Sequence, residues 1–372
     1  MHSIHLIAAA RPNFMKVAPV HHALKRTVWC EPVLVHTGQH YDPDMSDAFF
    51  ADLGMPKPDF HLGVGSGSHA EQTGGVMIAY EKIARQNPPG WTVVVGDVNS
   101  TMACALAAKK LNLNVAHLEA GLRSGDRTMP EEINRIVTDA VADLLWTPSE
   151  DADENLRREG VPAERISRVG NVMIDSFEML RGRIEAERTR EEFGLARGAY
   201  GVVTLHRPAN VDRREMLERL VGALAAVARE TPLVFALHPR TRKNLEGYGL
   251  YETLARAPGI HLTGPMGYAR FMGLVIDCGL AITDSGGIQE ETTYLGIPCL
   301  TLRPNTERPV TVTHGTNRLI EVAGLREAAF AAVKRGRGAG AAIPLWDGKA
   351  AGRVAHDLAL RLGVAEARTR VG

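Results

Sequence analysis

Short runs of aliphatic and β-branched residues alternate along the chain with longer stretches of helical periodicity. The pattern predicts strands at 5–10, 32–38, 92–97, 114–120 and 144–149, then at 166–170, 201–206, 232–239, 259–264, 279–287 and 297–302. Runs this apolar, without in–out alternation, suit strands buried on both faces, as in parallel sheets. Helices are predicted between them. TMACALAAKKL at 101–111 is one, and 133–144 is another, with Ile133, Ile136, Val137, Ala140, Val141 and Leu144 on one face. Repeated βα units imply parallel sheets with helices on both sides. About eleven strands are many for one such sheet, so the pattern predicts two doubly wound α/β domains. The boundary is expected near Val169–Ser176. RGRGAGAA at 335–342 is expected to be a flexible link, and the tail after it a helix with Ala351, Val354, Ala355, Leu358 and Leu362 on one side.

Composition adds bounds rather than a function. The 372 residues, 45% apolar, suffice for two cores. Lys+Arg and Asp+Glu are both 43, so no basic surplus argues for nucleic acid or an anionic membrane surface. Cys30, Cys104, Cys278 and Cys299 lie far apart and form no CxxC pair, which favours reduced thiols in a cytoplasmic protein over disulfides or a zinc site. The first apolar run is too short for a membrane span and lacks the basic start of a signal peptide. No HExxH or other compact ligand spacing is present, so no metal is expected.

Ligands of open α/β sheets bind beyond the carboxyl ends of the strands. The residues there are Arg11, Gly38–Gln39–His40, Asp97, Glu119, His206, His238 and Asp284–Ser285–Gly286–Gly287. DSGGIQEE at 284–291 reads in two ways. Ser285 can cap the following helix while Gly286 and Gly287 admit a phosphate to its free amides, with Glu290 or Glu291 holding ribose hydroxyls. Alternatively it is an ordinary capped helix with acidic residues that suit the dipole. It is not a P-loop, and no GxGxxG follows the first strand. Asp97 in VVVGDVNST can be a base, a hydroxyl binder or a cap. In HLEAGLRSGDRTMPEEINR, Glu119 follows a strand and Pro130 opens a helix on which Glu131 and Arg135 are one turn apart. That pair is either a surface salt bridge or a tuned carboxylate. His206 and His238, each after a strand, are structural or serve a ligand. Arg11 and Lys16 in ARPNFMK suit a diphosphate or sugar, or are simply a charged helix start.

Taken in order, Arg11…Lys16, TGQHYD (37–42), VVVGDVNST, HLEAGLRSGD…PEEINR, VGNVMID (169–175), TLHRPANVD, DSGGIQEE and TERPVTV…GTNRLI (306–320) resemble the non-hydrolysing UDP-N-acetylglucosamine 2-epimerase family over most of the chain. The resemblance implies two Rossmann-like doubly wound domains in a GT-B arrangement, with the ligand cleft between them. The domains would be 1–170, completed by a C-terminal helix at about 348–372, and 171–347. It also implies a cytoplasmic homodimer in cell-surface polysaccharide biosynthesis, a UDP-sugar substrate and no cofactor. Carried over by position, Asp97, Glu119 and Glu131 are the carboxylates for acid/base work at the sugar C2, and His206 the active-site histidine. Arg11 and Lys16 lie near diphosphate and sugar, and Arg135 is the partner on the same helix. His238 joins the substrate-binding set. Ser285, Gly286 and Gly287 form the phosphate loop, Glu291 meets the ribose, and Phe271 lies near the uracil.

Departures from the family pattern are AARPN for GTRPE, with Asn13 at the acidic position, and HRPAN for HRREN after the sixth motif's strand. Glu71–Gln72 stands where many members have an Arg–Gln pair that, with Gln39, His40 and an arginine matching Arg207, serves a second, activating substrate pocket. The rival readings are a hydrolysing epimerase releasing UDP, a glycosyltransferase on the same fold, and a non-catalytic nucleotide-sugar sensor. The first would lack the ARPxxxK opening, the second would not need Glu119 and Glu131 together, and the third would have lost a carboxylate.

Overall fold

In a computed structural model of the chain, the described residues are 1–9, 11–38, 50, 52–340 and 342–364, without the side chains of Arg11 and Pro12. The chain packs into two compact units, Met1–Met179 with Pro344–Gly372, and Leu180–Ile343.

The first unit is built on a parallel sheet of β1 (His2–Ala8), β2 (Cys30–His36), β3 (Phe60–His61), β4 (Trp91–Val95), β5 (Val115–Leu118), β6 (Leu144–Thr147) and β7 (Ile166–Arg168). Their order is β3-β2-β1-β4-β5-β6-β7, so the winding reverses between β1 and β4. Every residue of β4, β5 and β6 is buried, as the unbroken apolar runs require when helices cover both faces. The second unit repeats this plan with β8 (Gly201–Thr204), β9 (Leu233–Ala236), β10 (Ile260–Thr263), β11 (Leu280–Thr283), β12 (Cys299–Thr301) and β13 (Asn317–Leu319). Their order is β10-β9-β8-β11-β12-β13, with the reversal between β8 and β11. Each unit is therefore a doubly wound, Rossmann-like α/β domain, whose ligand-accepting edge lies outside the reversal.

All the predicted runs form strands. β3 and β13, edge strands of two and three residues, were not predicted. The helix predicted at 133–144 spans Pro130–Val141, and Leu144 opens β6 instead. Its buried face is also not the predicted one. Glu132, Asn134, Arg135, Thr138 and Asp139 are buried, whereas Ile133 is 40% exposed. The strand ends beneath this helix offer partners for charge, so the polar stripe turns inward.

The glycine-rich link is packed rather than free. Gly338 N donates to Gly296 O at 3.0 Å and Arg337 Nη1 to Ile276 O at 2.6 Å. A Cβ on Gly340 would lie 2.2 Å from Tyr294 O, so glycine serves close backbone approach here. The C-terminal helix Ala350–Arg361 returns to the first unit and packs on the helix Arg11–Lys25. Ala351, Val354, Ala355 and Leu358 are buried as predicted, while Leu362 follows the helix and is half-buried. Asp175 accepts hydrogen bonds from the amides of Ala350 and Ala351, at 3.0 and 2.8 Å, and so caps its first turn. Trp146 Nε1 donates to Asp357 at 2.7 Å and Trp346 Nε1 to Pro148 O at 2.9 Å. The predicted end of this tail, 365–372, lies outside the described residues. No described helix is long and apolar enough to cross a membrane.

One backbone approach in the first unit is tight. Gly121 has φ +80°, and a Cβ there would lie 2.4 Å from Ala152 O. Gly121→Ala is expected to destabilise this unit by at least about 1–3 kcal/mol. Trp29, Trp91, Trp146 and Trp346 are all the tryptophans and all lie in this unit, so the urea midpoint by tryptophan fluorescence reads it. An unchanged midpoint contradicts the assignment.

Candidate active site

At the reversal of the first sheet, Lys16 projects from the second turn of the helix that follows β1. Its ammonium donates to Glu119 Oε2, with only 11% and 5% of the two side chains exposed. Glu119 follows β5 in the left-handed region, φ +74°, a conformation that costs a residue with a Cβ. Gly96, φ +69°, leaves the room for this pair. A Cβ there would lie 3.2 Å from Lys16 Nζ and 3.3 Å from Glu119 Oε2. Asn13, one turn before Lys16, is buried and donates to Val95 O at 2.9 Å, tying the helix start to the end of β4.

Asp97 follows β4 with 31% of its side chain exposed and pairs with Arg135, which is 2% exposed. Arg135 also donates to Glu132 Oε2 from Nη2 at 2.6 Å and from Nε at 3.1 Å. Glu132 accepts further bonds from the amides of Ser124 at 3.0 Å and Gly125 at 2.9 Å. Burial alone would raise its pKa, but these amides and Arg135 hold it below the usual carboxylate range. Glu131, the residue singled out in the sequence, is exposed on the first turn of the same helix. Its neighbour is the one that grips Arg135, since helical spacing puts 132, 135 and 139 on the buried stripe. Asp139 and Asp143, further along the chain, differ from each other in the same way. Asp143 is half-exposed beside Lys109, at 2.7 Å, but Asp139 is 1% exposed. Arg11 opens its helix, and its side chain lies outside the described residues, as do Gln39 and His40. Glu71 is taken up locally, since it forms a capping box with Ser68.

The second unit places its chemistry at its own reversal. Asp284, after β11, is fully buried and accepts from the amides of His206 at 3.1 Å and Arg207 at 2.9 Å and from Asn210 Nδ2 at 3.0 Å. Its Oδ1 lies 3.1 Å from His206 Nδ1. Burial opposes its charge, yet His206, Asn210 and the Arg207 amide hold its pKa below the usual range. Asp284 thus fixes the HRPAN loop and the ring of His206, whose side chain is 38% exposed. His238 is exposed, and its ring lies 5.4 Å from that of His206. Partial burial and then the charge of His206 lower its pKa.

Ser285 begins the helix Gly286–Leu295 without the side-chain cap expected of it. A Cβ on Gly286 would meet Arg308 Nη1 at 2.5 Å and Glu307 Oε1 at 2.9 Å, whereas one on Gly287 would meet nothing within 4 Å. So Gly286 is needed for packing against the Arg308–Glu307 pair, and Gly287 faces open space. Arg308 joins Glu307 at 2.6 Å and Glu290 at 2.8 Å, and Arg303 joins Glu307 at 2.8 Å. Glu291 is buried within this helix and accepts the phenol proton of Tyr268 at 2.7 Å. Phe271 lies on the same short helix as Tyr268, Tyr268–Val275, and is half-buried. Among the described residues no group of three or more His, Cys, Asp and Glu side chains is placed to hold a metal.

These features agree with sequence relationships across the chain. The family model described as UDP-N-acetylglucosamine 2-epimerase matches residues 22–359. The chain belongs to this family. A UDP-N-acetylglucosamine 2-epimerase of Methanocaldococcus jannaschii is 41% identical over 85% of this chain and 87% of its own length. A UDP-2,3-diacetamido-2,3-dideoxy-D-glucuronate 2-epimerase of Pseudomonas aeruginosa is 41% identical over 85% of this chain and 88% of its own. The crystal structure of the Methanocaldococcus jannaschii UDP-GlcNAc 2-epimerase in complex with UDP-GlcNAc and UDP is similar with a TM-score of 0.88. It is 38% identical and covers 96% of this chain and 99% of that one.

The sequence reading missed Glu132, Asp139, His117, Tyr268 and the Arg303–Glu307–Arg308 cluster as buried partners of the candidate residues and their neighbours. Glu132 and Asp139 were findable, because with Arg135 they recur at helical spacing opposite the apolar face. Tyr268 and the arginines gave no local signal.

Glu291 has a consequence for pH. Burial pushes its pKa up to about 8, with the charge of Glu290 adding to this and the Tyr268 phenol opposing it. The raised value means the folded state holds the proton that the unfolded chain releases near 4.5. The stability this gives is full below pH 4.5 and is lost as pH rises through about 8. Glu291→Gln is expected to remove that loss. Relative to the variant, the wild type should lose thermal midpoint between pH 4.5 and 8, and parallel curves would contradict the assignment.

Proposed function

We propose that this protein is a non-hydrolysing 2-epimerase that interconverts UDP-N-acetylglucosamine and UDP-N-acetylmannosamine, or a closely related UDP-2-acetamido sugar. The observation that carries this reading is the pair of carboxylates at adjacent strand ends of the first unit, Asp97 and Glu119, each set against a cation.

The sugar's C2 proton is weakly acidic and has no adjacent carbonyl, so simple enolisation is closed. In the proposed route a base removes that proton, and its electrons form the C1=C2 bond. The C1–O bond breaks, and UDP leaves with the bonding pair. The 2-acetamidoglucal is then reprotonated at C2 on the other face as a UDP oxygen re-forms the bond to C1. Such a route needs a base on one face, an acid on the other and donors for the departing diphosphate. Asp97, Glu119 and Glu131 are assigned the proton work, and Lys16 and Arg135 set the charge and aim of the first two. In the second unit His206, aimed by Asp284, offers the ring nitrogen not facing that carboxylate. The uncapped Ser285 hydroxyl and the amides at Gly286 and Gly287 suit the phosphates. Glu291 suits the ribose, Phe271 the uracil, and Arg11 and His238 complete the substrate contacts. No redox cofactor enters this scheme. We extend the reading to a cytoplasmic homodimer that supplies cell-surface polysaccharide synthesis.

The test is proton NMR of the purified protein with UDP-N-acetylglucosamine in deuterium oxide. The UDP-N-acetylmannosamine epimer carrying deuterium at C2, with no free sugar, is expected. Free N-acetylmannosamine with UDP would mean a hydrolysing enzyme, and no turnover of any UDP-2-acetamido sugar a binding-only protein. Asp97→Asn and Glu119→Gln should each lower kcat by about 10²–10⁴-fold. Wild-type kcat in either variant would remove that carboxylate from the mechanism.

A further inference from the structure

We infer that His117, Asp139 and Arg123 form a buried positioning cluster that fixes the backbone carrying Asp97 and Glu119. The inference rests on the reading that those two carboxylates do the proton work.

His117 lies in β5 with its side chain fully buried, and Asp139 reaches it from the helix Pro130–Val141. The ring's Nδ1 is 2.6 Å from Asp139 Oδ1, and its Nε2 is 2.8 Å from Gly96 O. Both ring nitrogens therefore face oxygen atoms, one on a neighbouring helix and one at the end of β4. The other carboxylate oxygen accepts from Gly121 N at 3.0 Å and from Arg123 Nη1 at 2.8 Å. Arg123 is itself clamped by Glu159, at 2.8 and 2.7 Å.

The cluster grips two peptide groups, and both border the reacting residues. Gly96 is the residue before Asp97, and its position makes room for the Lys16–Glu119 pair. Gly121 comes two residues after Glu119. Between them Glu119 holds its left-handed backbone, with its amide and that of Ala120 both donating to Trp146 O at 3.1 and 3.0 Å. A strained conformation persists only when its surroundings over-determine it. Here Trp146 O holds the amides of Glu119 and Ala120, Asp139 holds that of Gly121, and Asn155 donates to Gly121 O at 2.9 Å. Since His117 and Asp139 are out of reach of solvent, they act through these peptides and not on substrate.

His117→Asn, His117→Gln and Asp139→Asn separate the arms of the cluster. Asparagine keeps an amide near Asp139 and gives up Gly96 O; glutamine reaches Gly96 O and gives up Asp139. Folded His117→Asn and Asp139→Asn should lose about 10²-fold in kcat with KM little changed, as expected for misplaced groups. Affinity for UDP, assigned to the second unit, should stay within about twofold. His117→Gln should recover about tenfold of the kcat lost by His117→Asn, one hydrogen bond's worth. Amide exchange at Gly96, Ala120 and Gly121 should quicken in His117→Asn and Asp139→Asn. Wild-type kcat and exchange in folded variants would overturn the proposal, and so would UDP affinity falling in step with kcat. If Asp139→Asn does not fold, the two His117 variants decide alone. If the wild type turns over no UDP-sugar, the functional reading fails by itself, and amide exchange still decides the cluster.

Discussion

A carboxylate withdrawn from water at the end of a strand has to be met by a cation or by amides, and both units are arranged around that demand. In the first, Glu119 is met by Lys16 from the next helix over, and only a glycine at 96 leaves space for the two to touch. Removing one partner of such a pair typically costs about 3–5 kcal/mol, because the other stays buried and uncompensated. In the second, Asp284 takes two backbone amides, an asparagine and a histidine ring. Each arrangement turns a sheet's carboxyl edge into a set of polar groups that cannot relax into water.

The same demand explains what the sequence revealed and what it did not. Repeated apolar runs disclose the strands, because burial on both faces leaves no polar position to interrupt them. Element boundaries and the two short edge strands depend on ladder partners far away in the chain. The helix Pro130–Val141 is the instructive case. It carries an apolar stripe and a charged stripe, and hydrophobic patterning alone chooses the first as buried. The structure buries the second, because Arg135 finds Asp97 and Asp139 finds His117. A helix that covers charged strand ends inverts the usual rule, and no periodicity count can foresee which partners wait beneath it.

Candidate site residues were legible to the degree that they end strands. Asp97, Glu119, His206 and Asp284 all do, and the open-sheet rule finds them without further knowledge. Glu132 lies behind that front line and shares its helical stripe with Arg135, whereas Tyr268 and the Arg303–Glu307–Arg308 cluster are paired there by contacts that only coordinates reveal. The two units also divide the chemistry. The first holds carboxylates against cations, which suits moving a proton. The second combines a helix start, an aimed imidazole and a buried glutamate bonded to Tyr268, which suits holding a nucleotide.

In the proposed route the bond between C1 and UDP breaks and re-forms during epimerisation. Positional isotope exchange tests it most directly. UDP-N-acetylglucosamine labelled with ¹⁸O in the bridge between C1 and the β-phosphorus is incubated with the enzyme and followed by ³¹P NMR. Elimination and re-addition predict that label moves from the bridge into the non-bridging β-phosphate oxygens while the epimer forms. Epimer accumulating with the label still wholly in the bridge would contradict it.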